Sequence, residues 1–377
     1  DDVDKSWEGI LQQTTNDIAD VVTQNKPFIN AVKVHTDAFV QESTAGGERY
    51  PSVNKAIFDN IEVGALVVNY FGHGGEDGLA SERIFDKINA QELKNICKLN
   101  CFVTVTCEYT KFDNPARATA GEYLYWNKKG GAIGLITTTR QIFVSVGVAF
   151  NIVLEEYLFG FGTNDYPTMA EALRLTKNDP RISGVSQRRL VFFIGDPAMK
   201  LALPKPSVRL TEINDVPISG SVDVLQALGR VNIKGEVVDE LGNVLTNYNG
   251  VVTTTIFDKN IDRQTLANDG TVNAGQTVIL DYNTLGETIF RGQATVTNGV
   301  FEFDFVVPRD IGVPVGNGKI SFYAKNDNPL QDQSGANFDI QIGGINNNAP
   351  EDNEGPIINL FMNDESFVSG GITNEAP

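Results

Sequence analysis

The chain has 377 residues, too many for one ordinary domain, and its hydrophobic fraction of 41% and charged fraction of 21% are typical of a soluble globular protein. Its 48 acidic and 30 basic residues give a formal net charge of −18, which disfavours binding to nucleic acid or to an anionic membrane surface. No apolar run is long enough to span a bilayer. The chain starts with "DDVDKSWEGI", without an initiator methionine or a signal peptide, so we expect a fragment whose start says nothing about compartment.

Residues 1–203 alternate between helical and strand patterns. Apolar residues at helical spacing predict a helix in "DKSWEGILQQTTNDIADVVTQN", followed by a short strand in "FINAVKVHTDAF". "PSVNKAIFDNIEVG" predicts a helix with Ser52 as its N-cap, and the apolar run "ALVVNYF" predicts a strand buried on both faces. Further helices are predicted in "NAQELKNIC", "ATAGEYLYWNK", "VSVGVAFNIVLEEYLF" and "TMAEALRLTK", and further strands in "FVTVTC", "GAIGLITTT" and "LVFFIGDP". This alternation predicts an α/β domain whose parallel sheet is covered by helices on both faces.

The pattern changes at about residue 204. Between residues 204 and 343, β-branched segments such as "RVNIKGEVVD" and "GVVTTTIFD" are separated by turn pairs, and no helical pattern intervenes. This part is predicted to be an all-β sandwich of the immunoglobulin-like kind. Residues 344–355 are predicted to be a polar linker, and residues 356–377 the start of a further, truncated domain.

One of the only two histidines, His73, follows the predicted strand "ALVVNYF" in the sequence "GHGG". Cys107 ends the next predicted strand, "FVTVTC". Because one helix joins the two strands and ligands bind outside the carboxyl ends of parallel strands, we expect both side chains to face one substrate. Imidazole can act as a base toward the thiol or stabilise the thiolate, so the pattern predicts a Cys–His dyad. Gly72 and Gly74 permit a sharp turn, and the Gly74 N–H is the better candidate for an oxyanion hole, alongside that of Cys107.

Structural explanations of the same residues remain open at this point. A single histidine after a strand is often solvated or structural, and a single cysteine at a strand end is often a small buried hydrophobic residue. Cys97 and Cys101 lack a nearby His or third Cys to complete a zinc site, so they are predicted to be core residues, with a disulfide as the alternative. His35 is predicted to lie within or at the end of a strand. Neither a metal site nor a cofactor is predicted.

Several segments together resemble the caspase-like cysteine peptidases of the gingipain family. They are "NYFGHGG", "VTVTCEYTKFDNP", "ATAGEYLYW", "GAIGLITTTR" and "FFIGDPAMKLALP". Within the family, "GGERYPSVNKAI" and "IFRGQATVTNGVFEFDFVVPRDIG" are similar to the PorU-type sortases of the type IX secretion system in Bacteroidetes-type bacteria. The resemblance implies a caspase-like fold in which His73 is the catalytic histidine, Cys107 the nucleophile and Gly74 the oxyanion-hole glycine.

The resemblance also implies a function. The protein would be a cell-surface, outer-membrane-associated enzyme, secreted through the periplasm, that removes the C-terminal signal domain of secreted cargo through a Cys107 thioester. It would transfer the cargo to an amine of anionic lipopolysaccharide and dock to a PorV-like outer-membrane barrel in an attachment complex. The alternatives are a non-catalytic surface scaffold and a secreted gingipain-like protease without transfer activity. Gingipains orient the histidine with an upstream acidic residue; Asp17, Asp20 and Asp37 lie upstream, but none matches a motif, so that residue is unassigned.

Overall fold

Helices and strands combine in two successive regions. The computed structural model describes residues 1–349, so the predicted further domain at 356–377 and the linker beyond residue 349 lie outside the described residues. The seven helices of this part of the chain are α1 Gly9–Asn25, α2 Pro51–Val63, α3 Lys87–Glu92, α4 Ala120–Trp126, α5 Val144–Leu158, α6 Met169–Asn178 and α7 Pro180–Ser183. None of these described helices is both long enough and apolar enough to cross a membrane.

The first region is organised around a four-stranded sheet. Its strands are β1 Glu42–Thr44, β2 Gly47–Arg49, β3 Val67–Tyr70, β4 Gly74–Gly75, β5 Gly78–Leu79, β6 Phe85–Asp86, β7 Asn100–Thr104, β8 Ala132–Thr138 and β9 Val191–Ile194. The central sheet has the order β3-β7-β8-β9. Strands β3, β7 and β8 run parallel, as predicted, whereas β9 is antiparallel to β8. The prediction of a wholly parallel sheet was therefore wrong for its last strand, because a hydrophobic pattern does not encode strand direction.

Helices pack on both faces of this sheet, as the alternating pattern predicted. Alternate residues of β7 face opposite sides: Val103 packs with α1, α5 and α6, whereas Phe102 packs with α2, α3 and α4. Both side chains are fully buried. Burial of a side chain of this size stabilises the fold by about 1.5–3 kcal/mol relative to leaving it exposed. The two cores hold the sheet rigidly and leave the ends of its strands to the loops.

Four local predictions differ from the structure. Residues 28–39 form no strand but an extended segment that ends in a 3-10 turn at Thr36–Ala38, because it contacts the second region rather than the sheet. Helix α1 begins at Gly9, so Trp7 precedes it. Tyr50 is the N-cap residue of α2 and Pro51 follows it, so Ser52 is not the cap. Strand β3 lies at the sheet edge, which leaves it largely half-buried instead of buried on both faces.

The second region contains strands throughout its described length. They are β10 Lys205–Pro206, β11 Val208–Ile213, β12 Val216–Pro217, β13 Leu225–Ala227, β14 Arg230–Val237, β15 Gly250–Phe257, β16 Ile261–Gln264, β17 Val272–Asn273, β18 Gln276–Thr277, β19 Asp281–Thr284, β20 Thr288–Val296, β21 Val300–Val306, β22 Gly316–Asn317, β23 Lys319–Asp327, β24 Leu330–Asn337 and β25 Gln341–Ile345. The largest sheets have the orders β10-β24-β23-β15-β20 and β12-β11-β14-β21. Both contribute to one hydrophobic core.

Alternation along the strands produces that core. In β14, every second residue from Val231 to Val237 is buried, which is the period expected when one face of a sheet is covered. Ile256 of β15 and Phe322 of β23 fill the same core from the other sheet. The immunoglobulin-like class of this region stays a prediction. Strand β25 extends through Ile345, so it includes the first two residues of the predicted linker.

Candidate active site

The sheet brings the ends of β3 and β7 side by side. Tyr70 of β3 pairs with Thr104 of β7 in parallel register. His73 lies three residues after Tyr70, and Cys107 lies three residues after Thr104, so both occupy equivalent positions beyond the ends of their strands. Both residues line one small cavity. The structure thus brings together the two side chains that the sequence singled out.

The loop that carries His73 is held by several hydrogen bonds. The His73 carbonyl accepts one from the Tyr70 hydroxyl, at 2.7 Å, and one from the Ala80 N–H, at 2.9 Å. The short strands β4, β5 and β6 form a small antiparallel sheet immediately after His73. The imidazole itself is 43% exposed and contacts the edge of the Trp7 ring, with centroids 5.8 Å apart. The backbone is therefore fixed while the ring stays accessible to a substrate.

A third side chain, Glu8, contacts the histidine. Glu8 Oε1 lies 2.9 Å from His73 Nε2, and the Glu8 side chain is only 2% exposed. With the carboxylate at Nε2, the other ring nitrogen, Nδ1, is the one available to exchange a proton with a thiol or a leaving group. Glu8 is thus an acidic residue in contact with the His73 ring, a partner that the sequence left unassigned.

Local hydrogen bonds keep Glu8 charged. Burial acts to raise the pKa of its carboxyl, but hydrogen bonds from His73, the Lys5 N–H and the Lys5 ammonium outweigh it, so the pKa is lowered. The Lys5 N–H donates to Oε2 at 2.7 Å, and Lys5 Nζ lies 3.2 Å from Oε1. Each carboxylate oxygen therefore has a donor, as a buried charge requires.

Sequence analysis missed Glu8 because nothing local distinguishes it from other acidic residues. The three upstream candidates lie elsewhere: Asp17 accepts from Gln13, Asp20 accepts from Lys33, and Asp37 accepts from residues 267 and 268. The one sequence feature that could have indicated Glu8 is its position immediately before α1, a helix that packs along the sheet. Only the packing of α1 against α5 turns that place into a contact with His73.

The glycines on either side of His73 are explained by close packing against neighbouring atoms, since neither has a left-handed backbone angle. A Cβ on Gly74 would come within 2.7 Å of Thr106 Oγ1 and 2.8 Å of Thr106 Cγ2. A Cβ on Gly72 would come within 2.5 Å of the Tyr70 hydroxyl. The missing Gly74 side chain therefore lets the backbone after His73 pack against the side chain of Thr106, the residue that precedes Cys107. This contact brings Gly74 close to the residue that precedes Cys107, and its oxyanion-hole role stays a prediction.

The cavity beside Cys107 is small and mostly apolar. Its volume is about 70 Å³, and besides Gly72, His73, Thr106 and Cys107 it is lined by Leu11, Phe71, Val105, Ile142 and Val144. The Cys107 thiol donates a weak hydrogen bond to the Ile142 carbonyl, with Sγ and O 3.9 Å apart. No acidic or basic side chain other than His73 is part of this lining.

An ionic network joins the loop after His73 to the loop after Cys107. Glu76 accepts hydrogen bonds from Asn114, at 2.8 Å, and from Arg117, at 2.7 Å, and it lies 3.2 Å from Lys111. Its side chain is 9% exposed. These partners, with Arg117 the strongest, lower the pKa of Glu76 to about 2. Glu108, next to the cysteine, has a left-handed backbone with φ of 52° and pairs with Lys111. The network restrains the two loops relative to each other.

A larger, open cavity of about 440 Å³ lies beyond the same loops. Its lining includes Phe112, Arg140, Arg189 and Phe192. Asp113 pairs with Arg140 through two contacts, at 2.9 and 2.6 Å. Asp113 thus neutralises the Arg140 charge, whereas no ion pair of the neighbouring Arg189 is found in the described part of the chain.

The other residues considered in the sequence lie away from the site. Cys97 is an exposed free thiol rather than a core residue, because it lies in the turn after α3 with φ of 66°. Cys101 is a buried free thiol on β7. His35 is buried against the Tyr282 ring, with centroids 4.6 Å apart. Burial lowers the pKa of His35 to about 4, so it is neutral at physiological pH.

A comparison with models of protein families identifies the family of this chain. The family model of peptidase family C25, the gingipain family, matches residues 1–202, more than half of the chain. The chain therefore belongs to peptidase family C25, a family of cysteine peptidases. No curated protein matches the chain.

Solved structures of the family are among those similar to the chain. Dimeric latent PorU from Porphyromonas gingivalis shares 28% sequence identity with this chain, with a TM-score of 0.37. The match covers 64% of this chain and 22% of the PorU chain. The Arg-specific proteinase gingipain R shares 16% identity, with 85% and 61% covered and a TM-score of 0.43. The complex of Porphyromonas gingivalis RgpB pro- and mature domains shares 15%, with 85% and 63% covered and a TM-score of 0.41. The chain thus spans about a fifth of PorU.

Proposed function

We propose that the chain is the catalytic part of a cysteine peptidase in which Cys107 is the nucleophile, His73 the proton carrier and Glu8 the residue that orients His73. One observation carries the proposal: the buried Glu8 carboxylate contacts the ring of His73, and His73 lines the same cavity as Cys107. A buried carboxylate that fixes one imidazole nitrogen, with the other free, is the arrangement of a general base beside a nucleophile.

The reaction follows from these positions. Cys107 gives its thiol proton to His73, and the sulfur attacks the carbonyl carbon of a peptide bond and forms a C–S bond. The carbonyl π electrons move to the oxygen, and this oxyanion accepts hydrogen bonds from the N–H groups of Gly74 and Cys107. The C–N bond then breaks while His73 gives its proton to the leaving amine. Water or a primary amine attacks the resulting thioester, loses its proton to His73, and releases the Cys107 thiolate.

The acceptor of the acyl group decides between hydrolysis and transfer. We favour transfer, in which the enzyme removes the C-terminal signal domain of type IX secreted cargo and joins the cargo to an amine of anionic lipopolysaccharide. The resemblance of the sequence to PorU-type sortases supports this choice, as it supports a cell-surface location, outer-membrane association and a PorV-like barrel partner. The second region, proposed to be immunoglobulin-like, would serve docking and positioning.

The cavity beside Cys107 suggests which residue precedes the cleaved bond. A space of about 70 Å³ with mostly apolar walls accommodates a small uncharged side chain, such as alanine, threonine or valine. A lysine or arginine would bury its charge there without an acidic partner, at a cost of several kcal/mol. We therefore propose cleavage after small uncharged residues.

Mass spectrometry after incubation with a cargo C-terminal peptide and glycinamide tests the function. The wild type should form an amide-linked product, and Cys107→Ala should form none. Hydrolysis alone would support the peptidase and exclude transfer to this amine. An equal yield of product from Cys107→Ala would overturn the proposal, and no reaction from the folded wild type would favour the scaffold alternative.

A peptide series varied only at the residue before the cleaved bond tests the specificity. The wild type should cleave after alanine, threonine or valine and reject leucine, arginine and glutamate. Ile142→Ala should extend cleavage to leucine, because it enlarges the cavity and keeps the carbonyl that accepts from the thiol. Ile152→Ala, the same change at a 42% exposed position, is the matched control. A wild-type preference for arginine would contradict the proposed pocket.

A further inference from the structure

The second region extends an arm to the first. The arm is the hairpin of β16 and β19, residues 261–284, with the short strands β17 and β18 near its tip. Its strands pair from Ile261 with Thr284 to Gln264 with Asp281. The chain continues beyond this pairing, and Thr265 joins the two sides through its hydroxyl, which accepts from the Leu280 N–H at 2.9 Å. The arm is thus a defined structure.

Asp37 of the first region anchors the arm. Its carboxylate, 1% exposed as a residue, accepts hydrogen bonds from the N–H groups of Ala267 and Asn268, at 3.0 and 2.9 Å. It also accepts one from the Asn268 side chain at 2.9 Å. The Leu266 N–H donates to the Asp37 carbonyl at 2.7 Å. Removing a buried acceptor of this kind leaves several donors unpaired, so the anchor is specific and costly to break.

Beyond this anchor, the arm contacts the residues on either side of Glu8. The Thr271 hydroxyl donates to the Asp4 carbonyl at 3.2 Å. A Cβ on Gly9 would come within 2.8 Å of Val278 Cγ1. Gly9 directly follows Glu8 and starts α1, so the arm packs where the orientation of Glu8 is set. The arm is not among the residues that line the cavity at Cys107.

We infer that the arm of the second region is a positioning element for the active site: it holds residues 4–9 so that Glu8 stays on the His73 ring. This inference rests on the proposed function of Glu8, His73 and Cys107. Arm residues touch no reacting atom, so their effect passes through the segment at residues 4–9, which carries Glu8. Catalytic competence of the first region therefore depends on the second region.

Gly9 and Val278 allow a paired test. In an exposed helix, Gly→Ala is normally stabilising by up to about 1 kcal/mol. Here Gly9→Ala should displace Glu8 by collision with Val278, and Val278→Ala should remove the colliding methyl groups. Gly9→Ala should therefore slow the chemistry, and the double variant Gly9→Ala/Val278→Ala should recover it. Val272→Ala, at a 51% exposed position of the arm, is the control.

The readout needs no substrate. In a Cys97→Ser background, iodoacetamide alkylation of Cys107 is followed by mass spectrometry across pH, alongside kcat and KM for a cleavable peptide. Loss of the Glu8 contact should slow alkylation roughly fivefold at neutral pH and move its midpoint to higher pH. Kcat should fall with KM nearly unchanged, because no substrate contact is altered.

Epistasis with Glu8 decides the inference. Gly9→Ala and Asp37→Ala should each slow alkylation in the wild-type background and have no further effect in Glu8→Gln. Two results would overturn the role of the arm while leaving the peptidase proposal intact. One is an alkylation rate equal to that of the wild type in both Gly9→Ala and Asp37→Ala. The other is a Gly9→Ala defect that Val278→Ala fails to correct. An unchanged alkylation profile in Glu8→Gln would instead refute the proposed role of Glu8.

Discussion

The two regions use strands differently. In the first, parallel strands end at one edge, and the loops beyond β3 and β7 carry His73 and Cys107 in matching positions. In the second, β15 and β23 pair antiparallel along their length, so successive strand ends lie at opposite edges. A parallel sheet therefore concentrates side chains from distant parts of the chain, whereas an antiparallel one distributes them. This difference favours the first region for the proposed chemistry, to which the second region would contribute only the arm.

The two histidines provide the strongest test of this division. His73→Ala should lower kcat/KM by about 10²–10⁴-fold, the range for loss of a general acid–base group, with little change in the free energy of unfolding. His35→Phe should retain activity, since an aromatic ring against Tyr282 is kept. Peptide hydrolysis kinetics and urea unfolding measure the two effects. Comparable losses of activity in both variants would mean that His73 is structural.

His35→Phe also changes the pH dependence of stability. Burial lowers the pKa of His35 to about 4, below its ordinary value of 6.5. Between those values the unfolded chain binds a proton that the folded chain does not, so the free energy of unfolding falls as the pH drops from 6.5 to 4. His35→Phe should reduce that fall, as measured by urea unfolding at pH 7 and pH 4.5. If the free energy of unfolding of His35→Phe falls as much as that of the wild type, a group other than His35 titrates in this range.

Glu155 should have the opposite pH dependence, within the first region. Burial raises the pKa of Glu155 to about 7, although a hydrogen bond from Asn69, at 2.6 Å, opposes the shift. The folded chain therefore retains a proton between pH 4.5 and 7, and the free energy of unfolding falls as the pH rises through that window. Glu155→Gln should stabilise the protein by about 1–3 kcal/mol at pH 8 and have less effect at pH 5.

Urea unfolding at both pH values measures this difference. Exposed Glu92→Gln is the matched control, because it removes the same charge from the surface and should change stability equally at both pH values. A stabilisation by Glu155→Gln at pH 5 as large as at pH 8 would show that the buried carboxyl does not titrate in this range.

The smallest effect is expected at the link between the two site loops. Glu76→Ala removes the acceptor shared by Asn114, Arg117 and Lys111 and should lower kcat about tenfold, since a displacement of about 1 Å at a site is costly. Steady-state kinetics on the same peptide measures the loss. Asp77→Ala, which removes a 65% exposed carboxylate of the same hairpin, is the control. Equal kinetics in both variants would show that the loops hold their positions without Glu76.

Helices were the most predictable elements of the first region. Helices α4 and α5 lie within their predicted segments, and α6 extends one residue beyond its segment, to Asn178. These predictions succeeded because apolar periodicity and caps such as Thr119 with Glu122 are local features. The segment at residues 28–39 was predicted wrongly as a strand, since its backbone pairs with no strand of the sheet and several of its hydrogen bonds join it to the second region. The direction of β9 was missed for a similar reason: it depends on the neighbouring strand β8.

The sequence by itself determined the two side chains of the site and the edge on which they lie. His73 and Cys107 are marked by their positions after apolar runs, and the parallel pairing of those runs follows from the helix between them. Only the tertiary structure selected Glu8 among the acidic residues and placed the arm beside it. Both contacts join residues far apart in the chain, 65 positions for Glu8 and His73 and 267 for Asp4 and Thr271, and no local pattern encodes such pairings.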